Sequence, residues 1–180
     1  MKFSHARVVM LTLAALIIVA PAFAGDSTPA DVFGKLKMME GTWSANAEQT
    51  DGEPVEEAAE PLHSQHEFSV SGAGSVVMEV MGAGSDHEMI NMYHMDGDDL
   101  VLTHYCAGGN QPTMMLDTAM LSAGKTHFAF TGGTNMNPGD PHIHSVTWDW
   151  QEDDSVVADW TSWAAGSQQA VMEFVLTRND

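Results

Sequence analysis

From residue 42 onward, turn chemistry divides this chain into ten short segments, and that rhythm restricts the fold more than any other feature. Ser71-Gly-Ala-Gly, Gly82-Ala-Gly-Ser, Asp96-Gly-Asp-Asp, Ala107-Gly-Gly-Asn, Gly132-Gly and Asn137-Pro-Gly-Asp separate the segments. Gly, Asn and Asp supply positive φ and local hydrogen bonds, and Pro presets a turn. Asp96-Gly97 in particular is a tight-hairpin signal. The intervening segments predict strands at Thr42–Glu48, Leu62–Ser71, Ser75–Met81, His87–Met95 and Leu100–Cys106. Further strands are expected at Thr113–Met120, Thr126–Thr131, His142–Gln151, Ser155–Trp163 and Gln169–Arg178.

Alternation separates two faces along these strands. Ala170, Met172, Phe174 and Leu176 share one side of the last strand, and His66, Phe68 and Val70 share one side of the second. Eight to ten sequential antiparallel strands leave two open edges unless the sheet closes on itself. The expected fold is therefore all-β, an antiparallel up-and-down barrel of about 8–10 strands, with a two-sheet sandwich as the competing architecture. One short N-terminal helix is expected over Ser27–Glu40. Thr28 can cap it, Pro29 suits its first position, and Val32, Phe33, Leu36 and Met39 follow helical spacing to Gly41.

The N-terminus reads as a leader. Lys2 and Arg7 precede an apolar run from Val8 to Ala20, and Ala22-Phe23-Ala24 offers small residues for cleavage before Gly25. The apolar run is shorter than the roughly 20 residues a membrane span needs. The expectation is a secretory signal over residues 1–24, a single domain over 25–180, and a periplasmic or extracellular product. Lys2 and Arg7 leave with the leader while all 25 acidic residues remain, so the formal charge moves from −19 to −21. Such a balance argues against nucleic acid and against an anionic membrane surface as partners. Cys106 is the only cysteine, which excludes an internal disulfide and leaves a thiol that is either buried or reactive. No motif sets an oligomeric state.

Gly41-Thr42-Trp43 opens the first strand directly after the helix, and Arg178 lies at the end of the last. This arrangement resembles the calycin superfamily: the lipocalin, fatty-acid-binding and nitrobindin-like barrels. The resemblance implies that Trp43 closes the barrel floor and that Arg178 packs across its indole. It covers residues 29–180 as architecture and about four residues as sequence. The chain departs from the family in two respects. A single cysteine cannot form the lipocalin disulfides, and the last histidine is His144, whereas nitrobindin-like barrels hold haem through a histidine near the chain end.

The segment richest in chemistry runs from Glu88 to Pro112. A hairpin at Asp96-Gly97 brings His94 and His104 onto neighbouring strands, with Cys106 on the His104 face. His142 and His144 share a face with Val146, Trp148 and Trp150 by alternation. If these faces point inward, Tyr93, His104, Cys106, His142 and Trp148 line a cavity for a small apolar or amphipathic molecule. Two other readings remain open. His94, His104, His142 and His144, with Met and Cys nearby, suit a soft metal such as copper or zinc. An enzyme with a site at the barrel mouth is the third, although His104 and Cys106 at i and i+2 stand roughly 7 Å apart. No residue is assigned a catalytic role. No cofactor motif is present either: there is no phosphate loop, dinucleotide fingerprint or helical zinc motif.

Overall fold

Thr28 caps the helix α1 (Pro29–Met38) in a reciprocal box: its hydroxyl accepts from the Asp31 N–H, and the Asp31 carboxylate accepts from the Thr28 N–H. Val32, Phe33, Leu36 and Met39 are all buried. Their spacing puts one apolar stripe on the helix, and that stripe packs into the same core as Trp43, Phe68, Leu100, Trp148 and Leu176. The computed structural model describes residues 28–53, 62–122 and 125–179. The expected leader, residues 1–24, lies outside them. Among the described residues, no helix is long and apolar enough to cross a membrane.

Ten strands follow: β1 (Gly41–Gly52), β2 (Leu62–Ser71), β3 (Val76–Met81), β4 (Met89–Asp96), β5 (Asp99–Tyr105), β6 (Gln111–Leu116), β7 (Thr126–Thr134), β8 (His142–Trp150), β9 (Val156–Ala164) and β10 (Ser167–Arg178). Each pairs antiparallel with its sequence neighbours, and β1 pairs with β10, so the sheet closes as an up-and-down barrel. Closure leaves no sheet edge to pair with another chain, which rules out the sandwich. The sixth strand ends earlier than expected. Asp117 accepts from the Ala119 and Met120 N–H groups and starts the one-turn helix α2 (Thr118–Ser122), so residues expected to continue the strand leave it.

Because α1 precedes β1 directly, it covers the end where β1 starts and β10 finishes. Trp43 Nε1–H donates to the Met39 carbonyl at 2.7 Å, and the Arg178 guanidinium lies 4.5 Å from the Trp43 ring centroid. Arg178 also donates to the Glu40 carbonyl at 2.8 Å and to the Met38 carbonyl. One side chain therefore joins the last strand, the first strand and the end of the helix. Gly41 is required there: its φ is +129°, and a Cβ would stand 3.1 Å from Arg178 Nη1. Above this floor the aromatic rings meet edge to face, from Trp43 to Phe68, Phe68 to Trp148, and Trp148 to Tyr93, with centroids 6.3 Å apart.

Arg178→Ala is expected to cost about 1–3 kcal/mol in urea denaturation, because it removes the ring contact and two charge-assisted hydrogen bonds together. Arg178→Lys should restore only part of this, since an ammonium cannot stack and fork at once. Stability of Arg178→Ala equal to that of the parent would show that the seam does not depend on this residue.

Candidate functional site

The half of the barrel away from α1 contains a polar array on its inner wall. Alternation in β3 turns Val77, Glu79 and Met81 inward, so a carboxylate occupies the centre of an otherwise apolar series. Glu79 pairs across the ladder with Asn91 of β4, and Asn91 pairs with His104 of β5. His66, on β2, reaches Glu79 from the other side. All four side chains are essentially inaccessible to solvent.

The hydrogen bonds run in a defined direction. Glu79 is acceptor-only when ionised. Its Oε1 accepts from His66 Nδ1 at 2.9 Å, and its Oε2 accepts from Asn91 Nδ2 and from the Tyr93 hydroxyl, each at 2.8 Å. With the Asn91 amide nitrogen turned to Glu79, its Oδ1 faces His104 and accepts from Nδ1 at 2.7 Å. Three donors thus compensate the buried charge. Burial and the Glu79 charge both raise the Tyr93 phenol well above its ordinary pKa, so it remains a donor.

The outer ends of this array find no partner. His66 Nε2 and His104 Nε2 are buried without a hydrogen bond among the described residues, and so are Trp148 Nε1 and Trp160 Nε1. The His104 ring lies 5.5 Å from that of Trp160, and the His66 ring lies 5.5 Å from that of Phe174. A polar wall on β2–β5 therefore faces an aromatic wall on β9–β10. Desolvation lowers the His104 pKa from 6.5 to about 4, against the opposing pull of Glu79. At neutral pH its Nδ1 holds the proton and its Nε2 keeps a lone pair.

The expected site residues divide into two groups. Tyr93 and His104 belong to the array, and Trp148 is buried beside Tyr93. Cys106 is half-buried in the turn beyond β5, where its Sγ accepts from the Gly108 N–H at 3.3 Å. A register shift between Ile143 and Ser145 adds one residue to β8; Ile143 packs on the core, and His142 and His144 both lie against the Phe130 ring of β7, at 4.6 and 5.1 Å. There His142 donates from Nδ1 to the Asp140 carbonyl and accepts from His144, which stacks 4.0 Å from Trp163. His94 alternates outward between Tyr93 and Met95. Of the four histidines of the metal reading only His142 and His144 meet, and among the described residues no group of three His, Cys, Asp or Glu side chains could hold an ion.

Glu79 and Asn91 were not foreseen as site residues. The pattern Val76-Val-Met-Glu-Val-Met is apolar in both parities, so it does not reveal which one faces inward. A carboxylate inside so apolar a strand was the available signal.

Glu79→Ala is expected to cost about 3–5 kcal/mol in chemical denaturation, because it orphans three buried donors at once. The pH dependence has a definite sign. The unfolded chain protonates His104 near pH 6.5 and the folded chain only near pH 4. Stability is therefore full above that window and falls as pH drops through it, by on the order of 3 kcal/mol. His104→Gln should flatten the difference between denaturation at pH 7.5 and at pH 4.5; an unchanged slope would exclude His104 as its source. The chain matches no protein-family model and no curated protein.

Proposed function

We propose that this chain is an exported, calycin-like barrel that binds a small apolar or amphipathic molecule in the half of its lumen away from α1. The observation that carries this reading is the array from His66 through Glu79 and Asn91 to His104. It holds two imidazole Nε2 atoms, buried and unpartnered, opposite Trp160 and Phe174. A mostly apolar enclosure with a few oriented polar groups is what a small-molecule site requires. Support for the calycin relationship comes from Gly41-Thr42-Trp43 at the start of β1, with Arg178 over the indole. The charged start, the apolar run and Ala22-Phe23-Ala24 support export.

Imidazoles held through Nδ1 in this manner also occur as metal ligands. Here the two histidines stand on β2 and β5, separated by two strands, and no third ligand converges on either. The organic ligand is the better fit.

Protein purified from its own host and examined by native mass spectrometry is expected to carry an organic mass at one per chain. His104→Gln should release it, with an affinity loss of about tenfold or more, the scale of one hydrogen bond to a buried group. A chain that retains nothing, and that takes up no apolar or amphipathic probe, would overturn the proposal; retained copper or zinc would replace it with the metal reading.

A further inference from the structure

The cations of this protein are placed unevenly. Residues 38–124 and 126–177 contain no Lys or Arg. Apart from Lys2 and Arg7, the cations are Lys35, Lys37, Lys125 and Arg178. Lys35 and Lys37 belong to α1, where they lie over the Trp150 and Phe33 rings, and Arg178 lies over Trp43. Lys125 immediately precedes β7, whose first residue is at the same end of the barrel. The opposite rim is formed, among the described residues, by the β3–β4, β5–β6, β7–β8 and β9–β10 connections, and none of them contains Lys or Arg. Asp86 and Glu88 fall in the β3–β4 connection and Asp140 in the β7–β8 connection.

A ligand entering from that rim meets the carboxylates of Asp86, Glu88 and Asp140 and no Lys or Arg. A carboxylate or phosphate finds no cation there to offset its desolvation, and it also meets the lone pair of His104 Nε2. An ammonium group satisfies His104 Nε2, yet it leaves the Trp160 indole N–H without an acceptor. A hydroxyl is donor and acceptor together and satisfies both.

We infer that the lumen selects a neutral ligand by its hydroxyl group: an alcohol or phenol that donates its O–H to His104 Nε2, accepts from Trp160 Nε1–H, and lays its apolar body against Trp160 and Phe174. This rests on the reading of the lumen as a binding cavity. The chain of hydrogen bonds gives each group its task. Glu79 fixes the Asn91 amide, Asn91 fixes the His104 tautomer, and the tautomer determines that the buried, unpartnered Nε2 accepts rather than donates. Tyr93 and His66 keep Glu79 saturated, so the carboxylate acts through Asn91 and does not itself receive the ligand.

The test is isothermal titration of the full chain without its leader at pH 7.5 with four size-matched probes: 1-octanol, heptyl methyl ether, octanoate and octylammonium. Octanol is expected to bind at least tenfold more tightly than the ether, which has the same atoms and no O–H, and octanoate is expected to give no heat of binding. Trp160→Phe keeps the ring and removes the N–H, and His104→Gln keeps a polar side chain. His104→Gln should narrow the gap between octanol and ether to about threefold or less, because only the alcohol donates to Nε2; Trp160→Phe removes an N–H that both oxygens accept from, so it should weaken octanol and ether alike and leave the gap in place. Circular dichroism melts would establish that both variants are folded. Ether equal to octanol, octanoate as tight as octanol, or octylammonium tighter than octanol would each overturn the hydroxyl assignment and leave the cavity standing. No binding by any of the four, with a folded parent, would overturn the cavity reading itself and indicate that His104 and Trp160 are satisfied by water alone.

Discussion

The seam between β1 and β10 is the contact on which the remaining structure depends. Every other strand pair joins sequence neighbours and could form in an open meander. The seam joins Trp43 to Arg178 in register and converts the sheet into an enclosure. Only with that closure is there an inside, and only then does alternation along each strand acquire a wet and a dry side. The helix completes the same junction from below: Met39 receives the Trp43 indole N–H, and the carbonyls of Met38 and Glu40 receive Arg178. Floor, seam and helix cap are thus one interaction among a few neighbouring residues.

The enclosure then imposes a second constraint, because whatever faces inward loses water. Apolar rings fill the helix end of the lumen. Glu79 stands in the other half, tolerable only because His66, Asn91 and Tyr93 all donate to it. Replacing the whole group by hydrocarbons of similar volume would often cost nothing in such a core. Its hydrogen bonds fix the orientation of two imidazoles, those of His66 and, through Asn91, His104, whose Nε2 atoms are buried without a partner among the described residues.

Much of the fold was legible because turn chemistry is local. Glycines and aspartates between apolar segments mark hairpins whatever the rest of the chain does, and all ten strands were identified from them. The capping box at Thr28 and Asp31 is equally local. What escaped notice belongs to pairs of strands. A register shift at Ile143 and Ser145 depends on how β8 meets β9, and nothing in His142-Ile-His-Ser-Val signals the additional residue. It leaves Ile143 on the core and sets His142 and His144 side by side against Phe130. Tyr93, His104 and Trp148 were placed inside by simple alternation, whereas Glu79 and Asn91 became visible only once register showed them opposite one another.

The seam has one further consequence, which concerns the order in which the chain becomes available. Residue 43 pairs with residue 178, so the closing contact spans almost the whole domain. A chain emerging from its N-terminus can form α1 and hairpins early, because those contacts are local. It must then wait with β1 unpaired along one side until β10 appears. Closing so long a loop is entropically costly and slow, and an open strand edge is meanwhile available to other chains. Leu176 to Arg178, paired with Ala45 to Trp43, cover that edge of β1 and end the exposure.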